Sequence, residues 1–298
     1  MQTTFKIDKY LLSAFLAYFL WGIFPIYWKS LSFLPQEILC LRFILSFLTC
    51  IFLIFLNKNL IQFVKEIFDF KVLALHFISG SLLACNWYVY TWSVLNDKTI
   101  EASLGYFITP ILITLSGILF YGEKISKTQS FGIITVVSSI LLMIGFFGYI
   151  PYIAFTLTFT FSIYSFLRKK VKIKSLNAFC LESLLMSPFA ITYLLVTQNT
   201  FQKVVNLDNT QLILVLIMGV VTATPLVLFG FSAKKVEFKT LGLLQYLAPI
   251  LQFLVGLLLF NEKLQLAYKY SLPILFIGLI IYASDYFKKE DLSKRVKQ

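Results

Sequence analysis

The stretch Pro110-Ile-Leu-Ile-Thr-Leu-Ser-Gly-Ile-Leu-Phe-Tyr-Gly-Glu-Lys124 has a counterpart at a fixed offset, Pro249-Ile-Leu-Gln-Phe-Leu-Val-Gly-Leu-Leu-Leu-Phe-Asn-Glu-Lys263. Each copy begins with a proline, has a glycine inside an apolar run and ends with Glu-Lys. Such self-similarity indicates an internally duplicated architecture. Two copies separated by an odd number of membrane spans lie in opposite orientations, which is the arrangement of secondary transporters.

The composition excludes a soluble domain. Hydrophobic residues make up 59% of the 298 residues and charged residues 13%, whereas a soluble domain has roughly 45–50% and about 25%. The net charge of +12 comes from basic residues in short loops between apolar runs. Retention of Lys and Arg on the cytoplasmic side explains that charge without a nucleic-acid partner. The four cysteines lie in apolar runs and form no CxxC pair, so we expect neither a disulfide framework nor a metal site.

Ten stretches have the length and apolarity of a membrane span, which needs about 20 residues. They are residues 10–28, 38–56, 72–95, 102–121, 129–147, 152–167, 176–196, 212–231, 241–260 and 268–286. The pattern predicts an all-α integral membrane protein with ten transmembrane helices. Five spans precede the second copy of the repeat, so residues 1–147 and 148–298 are predicted to be oppositely oriented five-helix repeats, the second with a basic tail.

Alternate loops differ sharply in basic residues. Of the 26 Lys and Arg residues, 20 lie at the termini or in the loops on the same side, against 5 in the other loops. This bias predicts that both termini are cytoplasmic. Glu123 would then face the cytoplasm and Glu262 the outside.

The connector 57–71 has a pattern of its own. Leu60, Phe63, Val64, Ile67 and Phe68 fall on one face at helical spacing. We expect a short helix lying on the cytoplasmic membrane surface, where it anchors the second hairpin.

Several motifs resemble those of a known family. They are Tyr18-Phe-Leu-Trp21-Gly22, Glu37-Ile-Leu…Arg42, Asn86-Trp87…Trp92, Glu101-Ala-Ser-Leu-Gly105-Tyr-Phe-Ile-Thr-Pro110, Gly122-Glu123, Leu181-Glu182, Val221-Thr-Ala-Thr-Pro225 and Thr240-Leu-Gly-Leu-Leu-Gln245-Tyr-Leu-Ala-Pro249. In this order they resemble the RarD group of the EamA family, within the drug/metabolite transporter superfamily. One departure is Asn261, where a glycine usually precedes the glutamate. The resemblance implies ten helices around a central cavity and transport of small metabolites or drugs, but it specifies no substrate.

Three prolines, Pro110, Pro225 and Pro249, lie inside predicted spans. Each removes a helix hydrogen bond, which lipid tolerates only where the backbone faces other helices or a cavity. We expect helix kinks at these positions. Gly117 and Gly256 follow the prolines of the two repeats and permit close contact or bending. A role in helix packing alone and a role in gating are equally open interpretations of these prolines and glycines.

Intramembrane charges are candidates for a gate or for coupling: Arg42, Glu101 and Glu182. Arg42 lies roughly 6 Å inside the outer boundary and Glu182 roughly 9 Å inside the cytoplasmic one, so these two are predicted not to pair. Glu101 or Glu37 is a better partner for Arg42. Alternatively, the Arg42 side chain snorkels to the membrane interface without an acidic partner. Arg168 or the Lys234-Lys235 pair is a better partner for Glu182, which is either a structural acceptor or a protonatable coupling group.

Uncharged polar and aromatic residues near mid-membrane are the predicted substrate cavity: Trp21, Asn86, Tyr90, Thr222, Thr224 and Gln252. Buried amides and hydroxyls are costly in hydrocarbon unless partnered. Helix packing is the alternative role for each. The predicted lining suits an amphipathic solute, including a cationic one held by cation–π contact, better than a highly charged phosphate compound. His76, the single histidine, is weak evidence for a proton relay.

These features favour a secondary transporter, an exporter or exchanger, in the inner membrane of a bacterium. No Walker motif or other cofactor signature is present, so a proton or a counter-solute would supply the energy. A channel or a non-transporting membrane scaffold is the alternative, and an intramembrane enzyme is disfavoured because no aspartate pair or HExxH lies at membrane depth. A homodimer is left open.

Overall fold

The computed structural model describes residues 8–121, 124–170, 173–197, 199–232, 236 and 244–295, and within these ranges every regular element is a helix. Seven helices are long and apolar enough to cross a membrane: Lys9–Lys29, Pro35–Leu56, Phe70–Leu95, Lys127–Phe146, Ser175–Thr197, Asn209–Ser232 and Leu266–Ser284. Large apolar side chains such as Phe52, Leu216 and Ile280 point outward from them and are 59%, 62% and 68% exposed. An apolar exterior on long helices is the surface that lipid requires. The chain is a multi-pass membrane protein.

Twelve α-helices and one π-helix are described. They are α1 Lys9–Lys29, α2 Pro35–Leu56, α3 Leu60–Ile67, α4 Phe70–Leu95, α5 Thr99–Tyr121, α6 Lys127–Phe147, α7 Tyr152–Lys170, α8 Ser175–Thr197, α9 Asn199–Val205, α10 Asn209–Ser232, α11 Leu247–Leu254, the π-helix Val255–Leu259 and α12 Leu266–Arg295. The seven long apolar helices coincide with seven of the predicted spans. Two of the other three, 102–121 and 152–167, fall on α5 and α7. The third, 241–260, includes α11 and the π-helix, and its residues 241–243 lie outside the described residues.

The short helix predicted in the connector is confirmed as α3, between α2 and α4, and its position on the cytoplasmic membrane surface stays a prediction. Phe63 is buried against the bundle, whereas Leu60, Val64 and Phe68 stay exposed. Glu66 on its polar side accepts a 2.7 Å hydrogen bond from the Asn177 amide of α8. The helix therefore fixes the connection between α2 and α4 and also contacts the second half of the chain.

The three prolines at which kinks are predicted lie at buried positions. Pro110 and Pro225 are buried inside α5 and α10, and Pro249 is buried in the first turn of α11. The carbonyl of Pro110 accepts a 2.9 Å hydrogen bond from the Thr114 hydroxyl. Kinking at the three positions stays a prediction. Glu123 and the Lys234-Lys235 pair lie outside the described residues.

Two glycines allow helices of opposite halves to approach closely. A Cβ on Gly22 in α1 would come within 2.6 Å of the Leu251 Cβ in α11. A Cβ on Gly219 in α10 would overlap the Leu45 carbonyl and the Thr49 hydroxyl of α2. Small residues at such crossings drive packing in a membrane, because the lipid supplies no hydrophobic force between helices.

The helices of the two halves are packed together throughout. Pairs that join opposite halves are α1–α10, α1–α11, α2–α8, α2–α10, α4–α7, α4–α8, α5–α7, α5–α11 and α6–α12. The largest fully buried side chains lie between them, among them Trp28, Phe107 and Leu157. We use the term predicted outer end for the end of this bundle that carries residues 30–34, 96–98, 206–208 and 260–265.

Candidate functional site

A buried arginine occupies the centre of the helix packing. Arg42 lies about 10 Å along α2 from its start at Pro35, and it is 3% exposed. Its guanidinium carbon lies 3.5 Å from the centroid of the Trp87 ring in α4 and 4.5 Å from that of the Trp28 ring in α1. These are distances of cation–π contact, which is strongest for tryptophan. Arg42 is thus held by aromatic rings of two neighbouring helices.

The second half of the chain supplies one hydrogen-bond acceptor to the same group. The Nε of Arg42 donates to the Thr222 hydroxyl in α10 at 3.2 Å. The close crossing at Gly219, one turn before Thr222, brings the two helices within reach of this bond. One terminal nitrogen of the guanidinium, NH1, is buried and has no hydrogen-bond partner among the described residues.

Tyrosines complete the surroundings of Arg42. The electrostatic neighbours of the guanidinium are the phenols of Tyr106, Tyr90 and Tyr27. The rings of Tyr90 and Tyr106 meet edge to face at 5.7 Å. The Tyr106 hydroxyl donates to the Asn86 side-chain oxygen at 2.9 Å, whereas the Tyr90 hydroxyl is buried without a partner in the described part of the chain.

Asn86 ties this group to α7. Its amide nitrogen donates to the Leu157 carbonyl at 3.0 Å and to the Thr160 hydroxyl at 2.9 Å. With Tyr106 on its oxygen, Asn86 connects α4, α5 and α7 in one network. A buried amide satisfied on both sides is rigid and fixes the relative positions of the three helices.

The prediction that Arg42 pairs with Glu101 or Glu37 is wrong. Glu37 binds Lys203 of α9 at 3.0 Å and accepts a 2.8 Å bond from the Thr200 hydroxyl. It lies five residues before Arg42, which is about 140° around the helix, so the two side chains leave α2 in different directions. Glu101 is 8% exposed and lies beside the backbone of Ile153, at the start of α7.

Glu182 lies in a separate polar cluster and is fully buried. It accepts hydrogen bonds from the Ser79 hydroxyl at 2.6 Å and the Tyr164 hydroxyl at 3.2 Å. Arg168 lies 3.5 Å from its Oε1. Arg168 was one of the two predicted partners. As predicted, Glu182 and Arg42 are not paired with each other among the described residues.

His76 lies one turn before Ser79 on α4. Its Nδ1 is 2.7 Å from the Val72 carbonyl, and its Nε2 is buried without a partner in the part of the chain that the structure describes. The imidazole therefore borders the Glu182 cluster without a hydrogen bond to it, while the His76 carbonyl accepts a 3.3 Å hydrogen bond from the Ser79 hydroxyl.

The predicted cavity residues fall into separate groups. Asn86, Tyr90 and Thr222 belong to the Arg42 surroundings. Gln252 donates to the Trp21 carbonyl at 3.0 Å, at the crossing of α1 and α11. Thr224 belongs to neither group, because its hydroxyl donates to the Val220 carbonyl of its own helix at 2.7 Å.

Residues that the sequence reasoning missed are Trp28, Trp87 and Tyr106. Trp28 ended a predicted span and Trp87 entered only as part of a motif. The available signal was the presence of tryptophans on the spans on either side of Arg42, because buried arginine favours aromatic faces when no carboxylate is near. A shallow apolar depression of about 590 Å³, lined by Pro188, Phe189, Thr192, Tyr193 and Val196 of α8, contains none of the predicted site residues.

Polar contacts also join the two halves at the predicted outer end. The carboxylate of Glu262 accepts hydrogen bonds from the backbone N–H groups of Thr99, at 2.7 Å, and Ile100, at 2.9 Å. Lys29, which forms an ion pair with Asp97 of its own half, has its ammonium nitrogen 4.0 Å from the centroid of the Phe260 ring of the second half. The Gln211 side chain accepts from the Ser32 backbone at 3.0 Å and donates to the Ser30 carbonyl at 2.8 Å.

Known proteins are similar to this chain in both sequence and fold. Residues 8–145 match the model of the EamA-like transporter family. Protein RarD of Escherichia coli strain K12 is 33% identical over 282 residues, which cover 92% of this chain and 93% of the relative. The chain belongs to the RarD group of the EamA family.

Other relatives of this RarD-group chain have transporter names. An uncharacterized transporter of Bacillus subtilis strain 168, YojE, is 34% identical and covers 93% of this chain and 94% of its own. One of Vibrio cholerae is 33% identical over 97% of this chain and 96% of its own. A crystal structure with 18% sequence identity superposes with a TM-score of 0.61 over 92% of this chain and 97% of the other, so the fold is also shared.

Proposed function

We propose that this protein is a secondary transporter that moves a small metabolite or drug-like amphipathic solute by alternating access, as an exporter or exchanger. The observation that carries the proposal is the Arg42 site, which is built from both halves of the chain. Trp28, Arg42, Trp87 and Tyr90 come from the first half and Thr222 from the second. A polar site between two halves changes its exposure when the halves rock against each other. The transporter names of the relatives support the same class.

The packing supports two inverted five-helix repeats as the basis of that motion. If α1 is exchanged with α7, α2 with α8, α4 with α10, α5 with α11 and α6 with α12, the observed helix pairs between the two halves map onto one another. The pair α1–α10 becomes α7–α4, α1–α11 becomes α7–α5, and α2–α10 becomes α8–α4, all of which are present. The pairs α2–α8, α5–α11 and α6–α12 map onto themselves. Since five spans separate equivalent helices, the two halves would be antiparallel.

The distribution of basic residues supports an orientation with both termini in the cytoplasm, across the cytoplasmic membrane of a bacterium. In that orientation the contacts of Glu262 with Thr99, of Lys29 with Phe260 and of Gln211 with Ser30 close the external side. They form an external gate in place of the pair between Arg42 and Glu101.

Glu182 is the proposed coupling group, with Arg168 as its counter-ion. It touches Ser79 of α4 and Tyr164 and Arg168 of α7. A carboxylate between three helices is positioned to gain or lose a proton as those helices move. Direct use of ATP and an enzymatic reaction are not part of the proposal.

Counterflow in proteoliposomes tests the transporter class. Vesicles loaded with an unlabelled candidate solute and diluted into the labelled one should accumulate label transiently above equilibrium. A channel has no such overshoot, and a scaffold protein moves nothing. A screen for solutes that raise the thermal stability of the purified protein selects the candidates, and protein-free vesicles are the control.

A further inference from the structure

Arg42 is a buried cation without an acidic partner among the described residues. It is 3% exposed inside the helix bundle, where a charge is costly and is ordinarily paired. No Asp or Glu in the described part of the chain forms an ion pair with it. The carboxylates predicted as its partners face elsewhere, Glu37 toward Lys203 and Glu101 toward the start of α7.

The contacts that Arg42 does have leave hydrogen-bonding capacity unused. A guanidinium has five N–H donors. The Trp87 and Trp28 rings lie within cation–π distance of it, and the Nε donor is used by Thr222. NH1 is buried and unpartnered among the described residues. Its two N–H groups are thus available in a dry, preorganised position.

Two further donors in this neighbourhood are also buried and unused in the described structure. They are the indole N–H of Trp28, whose ring lies against the guanidinium, and the Tyr90 hydroxyl. Three unpartnered donor groups close together are rare in a folded interior, because each costs about 1–3 kcal/mol. Together they match a ligand that offers only acceptors.

We propose that Arg42 binds the carboxylate of an amphipathic organic monoanion, which is the substrate of the transporter. This inference rests on the proposed function and adds the charge of the solute. Arginine N–H groups recognise carboxylates through short charge-assisted hydrogen bonds, and Trp28 and Tyr90 add donors beside them. One guanidinium balances one negative charge, and the aromatic rings of Tyr90 and Tyr106 suit an apolar body attached to the carboxylate.

The same contacts argue against a cationic solute at this position. A cation would require an open aromatic face, but Trp87 and Trp28 already hold Arg42 in cation–π contact. It would also be repelled by the guanidinium. A cationic solute held by cation–π contact, which is included among the amphipathic solutes expected from the sequence, is therefore disfavoured at this group of residues.

Acid and amide pairs test the proposal directly. The full chain is purified in detergent with Trp21→Phe and Trp92→Phe, so that Trp28 and Trp87 are the fluorescent reporters beside Arg42. Acetate, benzoate, phenylacetate and indole-3-acetate are each titrated against the corresponding amide. At least one acid should produce a saturable change with an apparent Kd tenfold or more below that of its amide.

Variants assign the effect to Arg42. Arg42→Lys keeps the charge but loses the stacked planar donors, and it should weaken acid binding about tenfold or more. Lys263→Gln removes an exposed cation and should leave it unchanged. Thermal unfolding of each variant shows that it is folded. Two results overturn the proposal. One is an equal response to the acid and the amide in all four pairs, and the other is a preference for the acid that survives both Arg42→Lys and Arg42→Gln.

Counterflow separates this inference from the proposed function. Acid binding without counterflow of any bound acid contradicts the transporter and leaves the Arg42 site standing. Counterflow of a neutral or cationic solute that Arg42→Gln does not alter supports the transporter and overturns the carboxylate site.

Discussion

Glu262 caps the N-terminus of α5 by accepting a hydrogen bond from the Thr99 backbone, although the two residues lie in opposite halves of the chain. Its two carboxylate oxygens accept hydrogen bonds from the Thr99 and Ile100 backbone N–H groups. The N–H groups at the start of a helix have no partner within the helix and attract a negative charge. The π-helix Val255–Leu259 directly precedes this carboxylate, and π-helices are frequent at functional sites. The glutamate of the repeated Glu-Lys motif therefore connects the halves at the predicted outer end.

Loss of this carboxylate should open the predicted outer end. Bonds to a charged acceptor contribute roughly 1.5–3 kcal/mol each, so Glu262→Ala should raise the open population about tenfold or more. A cysteine at Ile100, which is 2% exposed, is introduced into a background without the native cysteines. Its labelling rate by a membrane-impermeant thiol reagent should rise accordingly. Lys263→Ala is the matched control, and an equal rate in all three proteins would show that Glu262 does not hold the gate.

The orientation is tested at the two ends of α8. The helix Ser175–Thr197 has 23 residues, a length of about 33 Å, which spans the roughly 30 Å core of a bilayer. In the same cysteine-free background, a cysteine at Asn199 should react with an impermeant reagent in intact cells and a cysteine at Ser175 should not. Permeabilised cells are the control, in which both should react. Reaction at Ser175 in intact cells would reverse the assigned topology.

The sequence was sufficient to place the long helices, because apolar runs of span length have few alternatives in a membrane, but the short helix α9 was not predicted. It could not give the rotation of each helix about its axis, which depends on packing. Arg42 and Glu37 lie on one helix, and only the close crossing at Gly219 shows that Arg42 faces Thr222 rather than an acid. Glu182 was assigned correctly to Arg168 as one of two options, because the choice there was limited to cations at the same depth.

Ion-pair partners can be checked by double-mutant cycles on thermal stability. Glu37 and Lys203 are in contact, and because Lys203 is partly exposed we expect a coupling of only about 0.5–1 kcal/mol. The pair Arg42 and Glu101 should be additive within about 0.5 kcal/mol, since the two do not interact directly. Neutralisation to Gln at each position, singly and together, supplies both cycles. Strong coupling between Arg42 and Glu101 would restore them as a gate pair.

Gly219 should be intolerant of even one methyl group. A Cβ there overlaps the backbone of α2, and neither helix backbone can move without losing the bond between Arg42 and Thr222. We expect Gly219→Ala to destabilise the protein by roughly 1–3 kcal/mol. Gly145 in α6 is the matched control, because nothing lies within 4 Å of the Cβ that an alanine would add. Thermal unfolding in detergent makes the comparison, and equal midpoints for the two variants would contradict close packing at this crossing.

If Glu182 is the coupling group, its neutralisation should abolish pH-driven uptake but not substrate exchange. Glu182→Gln keeps the shape of the side chain but cannot exchange a proton. Ser79 and Tyr164 donate to different carboxylate oxygens, so one of these hydroxyls can still donate to the amide oxygen and the other can accept from the amide NH2 group. Uptake driven by a pH gradient should be abolished, while exchange of substrate across the membrane should continue. Arg168 and His76 also adjoin the cluster, so Arg168→Gln and His76→Gln are measured beside it. Glu66→Gln, at a carboxylate on the surface helix α3, is the isosteric control and should leave both activities unchanged. Transport by Glu182→Gln with an unaltered pH dependence would make Glu182 a structural acceptor for Arg168.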